Sequence, residues 1–346
     1  MTTAYITHPL YADHDYPGHP ENAGRIRAVW RELESSGLNA RMLNIPPHAV
    51  TDAQILTVHG QRYLDRLGWV ALQELPIFFD PDTYALPETP QIARLAAGGI
   101  VAAVDAVISG QAHNAMVCVR PPGHHALIGS PMGFCLLGNV PIAARHAQNA
   151  HGLKRVLIVD YDVHHGNGTQ DMFYNDGSVL FISSHQHPFY PGTGMAEEIG
   201  AGPGRGYTMN LPLPGGVGDN GFAQLYEKFV WPAARRFQPE LIIVSAGFDA
   251  HWRDPLGGLK LTNTGYAHLT RELIRMAEEL CGGKIIFAME GGYDPEALSA
   301  GWRNIAHALL GDKQVYDPIG QRKTPHAEPD IRPLIEYLRN LHVITE

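Results

Sequence analysis

The chain has 346 residues, of which 45% are hydrophobic and only 18% charged, enough apolar side chains for a large buried core. Its formal net charge of −9 argues against a non-specific nucleic-acid binder, which would be basic. Cys118, Cys135 and Cys281 stand far apart with no CxxC pair, which argues against a disulfide framework or a thiolate metal site and for a reducing compartment.

Strand and helix signals alternate from one end to the other. Residues 3–7 read as a short strand and 8–20 as a polar loop of His, Asp, Tyr and Pro. The first ten residues lack a basic region followed by an apolar one, so no secretory signal is expected and a cytoplasmic location is. Residues 21–36 carry Ile26, Val29, Trp30 and Leu33 at helical spacing and stop at Gly37. Residues 40–45 read as strand, Thr51 or Asp52 caps a helix towards Val58, and 61–75 continue as helix. Residues 80–90 form a loop and 90–109 an Ala-rich helix closed by Gly110. Its apolar part, 95–109, is broken by Gly98, Gly99 and Asp105 and is too short for a bilayer, so no membrane partner is expected.

Next come a strand over 114–119, a long loop over 120–138 and a helix over 139–150 closed by Gly152. After the central strand 157–159, further strands are expected at 178–183, 207–211, 240–245 and 284–289, and helices at 222–237, 264–280 and 295–310. A last helix over 330–341 belongs to a C-terminal packing extension, 312–346. This alternation, without a linker or repeat, predicts one α/β domain: a mostly parallel central sheet with helices on both faces. The long loops follow strand C-termini, the mouth of the site in such sheets.

The chemistry concentrates at four strand ends. The apolar run Leu157-Ile158-Val159 flips abruptly to Asp160, Asp162 and His164, which share one face of an extended chain. Asp and His at this spacing suit a divalent metal such as zinc. A solvated loop with a capping Asp is the plain alternative, but such groups are costly to desolvate without a counter-charge. The second end places His124 and His125 after a stiff Pro-Pro-Gly turn, the third places Asp249 after 241–244, and the fourth places Tyr293 after 285–289. Together they offer two carboxylates and an imidazole for a metal, a histidine pair as base and a phenol as donor.

The segments RPPGHHA, DYDVHHGNGTQDMF, YPGTG, SAGFDAHWRDPLGG, MEGGY and HPENAGRI together resemble the histone deacetylase family, in the blend of its class II branch and related bacterial deacetylases, over roughly residues 5–311. The resemblance implies an arginase/deacetylase-like α/β fold and a zinc-dependent amide hydrolase that removes acetyl groups from amines. Position by position, Asp162, His164 and Asp249 resemble the zinc ligands, and His124 and His125 the tandem catalytic histidines. Asp160 resembles the buried partner of His124, Asn167 the partner of His125, and Tyr293 the catalytic tyrosine. Phe134 and Tyr190 resemble the aromatics of the acyl-lysine tunnel, lined also by Gly133 and Leu256; relatives usually carry Phe where Tyr190 stands. Asp160, Asp162, His164 and Ser183 resemble a structural potassium site built partly from backbone carbonyls.

Iron(II) is an alternative to zinc for this donor set. An Asn beside His125 adds no negative charge, so that histidine starts neutral as a base, whereas the carboxylate beside His124 favours imidazolium. Leu256 stands where a polyamine-preferring relative has an acid, which favours acyl-lysine in a peptide or protein over an acetylated polyamine or other small acetylated amine. Asp13, Asp15 and Asp82 read as solvated loop acids, with contact to a cationic substrate as the alternative, and Asp254 as more structural than catalytic. Loops such as 8–20 offer a surface for a homo-oligomer. A two-manganese guanidine hydrolase on the same fold would need a second Asp-x-Asp pair, but Asp249 is followed by Ala250 and His251. A non-catalytic acyl-lysine reader would not need Tyr293.

Overall fold

The computed structural model describes residues 2–322 and 327–345. The expected extension 312–346 therefore lies partly outside the described residues. In chain order the strands are β1 (Thr3–Ile6), β2 (Leu43–Asn44), β3 (Ile77–Phe78), β4 (Tyr84–Ala85), β5 (Asn114–Val117), β6 (Val156–Asp160), β7 (Val179–Gln186), β8 (Thr208–Leu213), β9 (Leu241–Ala246) and β10 (Ile285–Met289). The helices are α1 (Ala23–Ser35), α2 (Asp52–Ile55), α3 (Gln61–Val70), α4 (Thr89–Ile108), α5 (Asn139–His151), α6 (Asn167–Phe173), α7 (Asp219–Leu225), α8 (Trp231–Phe237), α9 (Asn263–Cys281), α10 (Pro295–Leu309) and α11 (Arg332–Leu341).

Eight strands form one sheet in the order β2-β1-β5-β10-β9-β6-β7-β8, every pair parallel. Parallel strands need helical crossovers, which cover both faces and leave β5, β6, β9 and β10 wholly buried. Helices α4 and α5 pack on each other, α4 over β1 and β5, while α1, α10 and α9 form a second row. Because β9 and β10 return between β5 and β6, four adjacent strands in the middle of the sheet end side by side. Those four are the strands whose ends carry the expected site residues.

Several boundaries differ from expectation. The helix expected over 222–237 is α7, one π-helical turn over Tyr226–Val230, and α8. Pro232 has no N–H for the Lys228 carbonyl four residues back, and Arg339 of α11 donates to that carbonyl instead, at 3.3 Å. Helix α3 stops at Val70 rather than Leu75 and leaves Leu72 and Leu75 exposed. Residues 40–45 hold a 3₁₀ turn and the two-residue β2, and the loop 80–90 contains β4, paired antiparallel with β3. Strand β7 runs on to Gln186. Helix α4 is long and apolar enough to cross a membrane by length and composition, yet most of it is buried against α5 and the sheet.

Candidate active site

Each functional side chain hangs from the C-terminal end of a buried strand. Asp160 closes β6, and the chain then turns through Asp162 and His164. Asp249 follows β9 through Gly247, where a Cβ would lie 2.1 Å from Asp162 Oδ2, so only glycine lets the two strand exits come together. The Asp162, His164 and Asp249 ligand atoms lie within 4.8 Å of one another. His164 Nδ1 sits 3.1 Å from Asp162 Oδ1 and 3.3 Å from Asp249 Oδ2. Burial opposes charge on His164, but the two carboxylates lift it to about 10. Asp249 is pushed up by its own burial and then by Asp162. Asp249 Oδ2 is buried and, beyond the 3.3 Å approach of His164 Nδ1, accepts no hydrogen bond among the described residues. An orphaned anionic oxygen, a second carboxylate and an imidazole nitrogen, all aimed at one point, fit a divalent cation with oxygen and nitrogen donors. Gly291 completes the cradle, since a Cβ there would stand 2.0 Å from Asp249 Oδ2 and 2.6 Å from Asp162 Oδ2.

The two histidines after β5 have different partners. His124 Nδ1 meets Asp160 Oδ2 at 3.0 Å, and His125 Nδ1 meets Asn167 Oδ1 at 2.7 Å. Burial disfavours a charge on His124, yet Asp162 and Asp160 raise it well above an ordinary imidazole, so the proton of this pair sits on His124. His125 moves the other way: burial, then the charges on His124 and His164, hold it well below the ordinary value. With Nδ1–H donated to Asn167, the lone pair of His125 is on Nε2. One turn therefore carries an imidazolium and a neutral base.

A cavity of about 470 Å³ opens onto these groups, lined by His125, His164 and Tyr293 and walled by Gly133, Phe134, Tyr190 and Leu256. Phe134 takes φ 69°, a left-handed conformation that costs a bulky residue energy. There its ring stands edge-on to Tyr293 at 5.8 Å. Tyr190 stands edge-on to both His125 and His164, at 5.3 and 5.9 Å. The structure thus gathers the expected ligands, histidines, partners, phenol and tunnel residues at one place. Ser183 pairs in register with Asp160, and its hydroxyl is taken up by His185 Nδ1 at 2.9 Å.

A histone deacetylase domain matches residues 19–309. The chain belongs to the histone deacetylase family. It is 40% identical over 351 residues to "Histone deacetylase 14, chloroplastic" of Arabidopsis thaliana, covering 96% of this chain and 82% of that protein. It is also 40% identical to the "Histone deacetylase-like amidohydrolase" of Pseudomonas aeruginosa over 311 residues, 87% of this chain and 80% of the relative. Its fold superposes on the crystal structure of the HDA15 HD domain with a TM-score of 0.90 at 37% identity, covering 99% of this chain and 95% of the other. The chain is therefore a deacetylase-type hydrolase with the α/β architecture of that family.

Several residues of this deacetylase site escaped the sequence reading. Phe189 stacks on His164 at 5.5 Å, while Asp82, for which substrate contact was the lesser alternative to a solvated loop, lines the cavity. Glu290 accepts the N–H groups of Gly123 and His124 at 2.7 and 3.2 Å and so braces the histidine turn. Glu21, Arg25 and Arg120 form a buried ionic cluster, from which Arg25 donates to the carbonyls of Glu290 and Gly292. Glu290 and Glu21 lie inside the MEGGY and HPENAGRI segments, where an acid in a largely uncharged stretch was the available signal.

Two other polar groupings have structural explanations. Asp105, His146 and His151 lie close enough to share a metal. However, Gln54 Oε1 is committed to Thr51, so its amide N donates to His146 Nδ1 and leaves His146 Nε2 as a donor to Asp105. That set is a hydrogen-bonded tie between α2, α4 and α5. A groove of about 590 Å³ at the opposite end of the sheet is lined by Arg155, Arg205 and Arg236. Two of these close helix ends, Arg155 on the Gln238 carbonyl and Arg236 on the His342 carbonyl.

Proposed function

We propose that the chain is a metal-dependent lysine deacetylase, hydrolysing the ε-amide of acetyl-lysine in a peptide or protein. The observation that carries this reading is the Asp162-His164-Asp249 cluster beside two buried histidines, one paired with Asp160 and the other with Asn167, at the base of a cavity lined by Tyr293. Zinc, or iron(II), held by Asp162, His164 and Asp249 would supply Lewis acidity and lower the pKa of a water towards neutral. His125 takes the proton of the attacking water through Nε2 and passes it to the leaving amine. Asn167 fixes the ring of His125. His124, kept as imidazolium by Asp160, acts electrostatically on the charge that develops on the carbonyl oxygen. Tyr293 donates a hydrogen bond to that same oxygen, an interaction worth about 3–4 kcal/mol in comparable sites. Phe134 and Tyr190 hold the methylene stem of the lysine. Potassium on the carbonyls near Asp160 and Ser183 would be structural.

The apolar lip at Leu256 supports a lysine side chain over a polyamine, whose second amine would call for an acid at that position. The name of the plant relative adds support for a protein substrate. Kinetics on zinc-loaded protein with acetyl-lysine peptides, N-acetylputrescine and N-acetylspermidine test the reading. Peptide turnover that stops on chelation and returns with zinc is the expected result. Full activity in chelator would overturn the metal-dependent reading, and preferential cleavage of the acetylated polyamines the lysine assignment.

A further inference from the structure

The loop after Asp249 leaves β9 and the turn carrying Tyr293 leaves β10, and one buried carboxylate joins them. Asp254 is only 6% exposed. Its Oδ2 accepts the N–H of Tyr293 at 2.6 Å and of Asp294 at 3.2 Å, and its Oδ1 accepts the N–H of Leu256 at 2.9 Å. No cationic side chain pairs with this carboxylate among the described residues, and its hydrogen bonds there come from three backbone amides. A buried carboxyl group held this way is retained at a cost in desolvation. Its partners say what it serves: the amide of the phenol-bearing residue on one side and the tunnel lip on the other.

The tyrosine turn needs such a hold. Glu290-Gly291-Gly292 gives the backbone wide freedom, and Gly292 sits at φ 114°. Arg25 fixes the carbonyls of Glu290 and Gly292, and Asp162 takes the N–H of Gly291 at 2.8 Å. All these contacts precede the tyrosine. Asp254 is the side chain that grips the tyrosine's own amide. Arg253, its chain neighbour, pairs with Asp294 at 2.7 and 2.8 Å and fastens the same two segments from outside.

We propose that Asp254 is a positioning residue for the hydrolysis, setting the Tyr293 phenol and the Leu256 lip as one unit against the metal ligands. This rests on the deacetylase mechanism above, and the test separates the two. A double-mutant cycle on the zinc-loaded full chain combines Asp254→Asn with Tyr293→Phe, assayed on an acetyl-lysine peptide. In the wild-type background Asp254→Asn is expected to lower kcat by about 10- to 100-fold, since sub-ångström placement of a catalytic group is worth that much. KM and zinc content should stay within about threefold, because the Asp162, His164 and Asp249 set is untouched. In the Tyr293→Phe background the same change should cost less than about twofold, because the group it positions is already gone. Asp254→Glu, which keeps the carboxylate, should recover part of the rate, and it replaces Asn in the cycle if the amide variant does not fold. Equal losses in both backgrounds, or a kcat within twofold of wild type, would overturn the proposal. A wild-type protein without zinc-dependent turnover would instead overturn the function it rests on.

Discussion

The strand-exit cradle and the C-terminal segment after α10 are both held by carboxylates, but to opposite ends. In the cradle, Asp162, Asp249, Glu290 and Asp254 are buried and accept backbone N–H groups of neighbouring loops, and two of them leave an oxygen or a face for a cation. In the C-terminal segment, Asp317 accepts the N–H of Thr264 at the start of α9, and Glu328 those of Gly218, Asn220 and Gly221 at the start of α7. These latter carboxylates are partly solvated and simply complete helix ends. The difference shows what burial does to a carboxylate. Near water it is a cap worth about 1 kcal/mol. Deep inside, it is so costly alone that it must be wired to amides, cations or metal, and its loss disturbs whatever it was wired to.

The largest expected effect lies in the cradle. His125→Ala should lower kcat by about 10³-fold through loss of the general base. On the proposed mechanism the acid limb of kcat/KM in the wild type should report the same group. Burial, and then the charge on His124, depress its pKa, so activity should persist as pH falls through 6.5 and fail only below it. An acid limb centred at or above pH 6.5 would break the assignment.

Next comes the ionic brace behind the tyrosine turn. Glu21→Gln would leave Arg25 and Arg120 buried without a counter-charge and should cost about 3–5 kcal/mol in denaturant unfolding. Burial pushes Glu21 up, but Arg120 and Arg25 outweigh it and hold it at about 2. A carboxylate depressed in the folded state contributes stability that is full above its unfolded value of 4.5 and is lost as pH falls towards 2. Acid titration of wild type and Glu21→Gln should therefore diverge above pH 4.5 and converge towards pH 2.

A subtler break in the cradle is Gly291→Ala. The new Cβ would strike the carboxylates of Asp249 and Asp162, so zinc affinity in a chelator competition should fall by about 10- to 100-fold. Wild-type affinity in this variant would mean that the ligands do not need the glycine. At the other extreme, Glu328→Gln should lose only about 1 kcal/mol of stability with kcat unchanged, because it caps α7 and does not line the cavity. A fall in kcat there would erase the contrast between the two regions.

Much of the site was legible because a strand buried on both faces must be apolar throughout, so the switch from Val159 to Asp160 announces a strand end with a task. The same holds for Asp249 and Tyr293, each a polar group a few residues beyond such a run. What stayed hidden involved contacts between distant segments. Nothing local distinguishes Asp82 from other loop acids, yet it lines the cavity mouth. Phe134 gives no sign of its left-handed backbone, and Asp254 read as structural because its partners lie 39 and 40 residues away. The sequence ran one helix straight through Pro232, and the donor that meets the Lys228 carbonyl at the π turn, Arg339, is on α11.

By itself the sequence determined the alternation of buried strands and amphipathic helices, and which side chains stand at the strand tips, because both follow from local periodicity and abrupt changes of polarity. Only the tertiary structure decided that β9 and β10 return between β5 and β6. Strand order is set by how the crossover helices pack across the whole sheet, a long-range choice that no window of sequence encodes. That choice brings His124, Asp162, Asp249 and Tyr293 together, and with them the carboxylates that could share one cation.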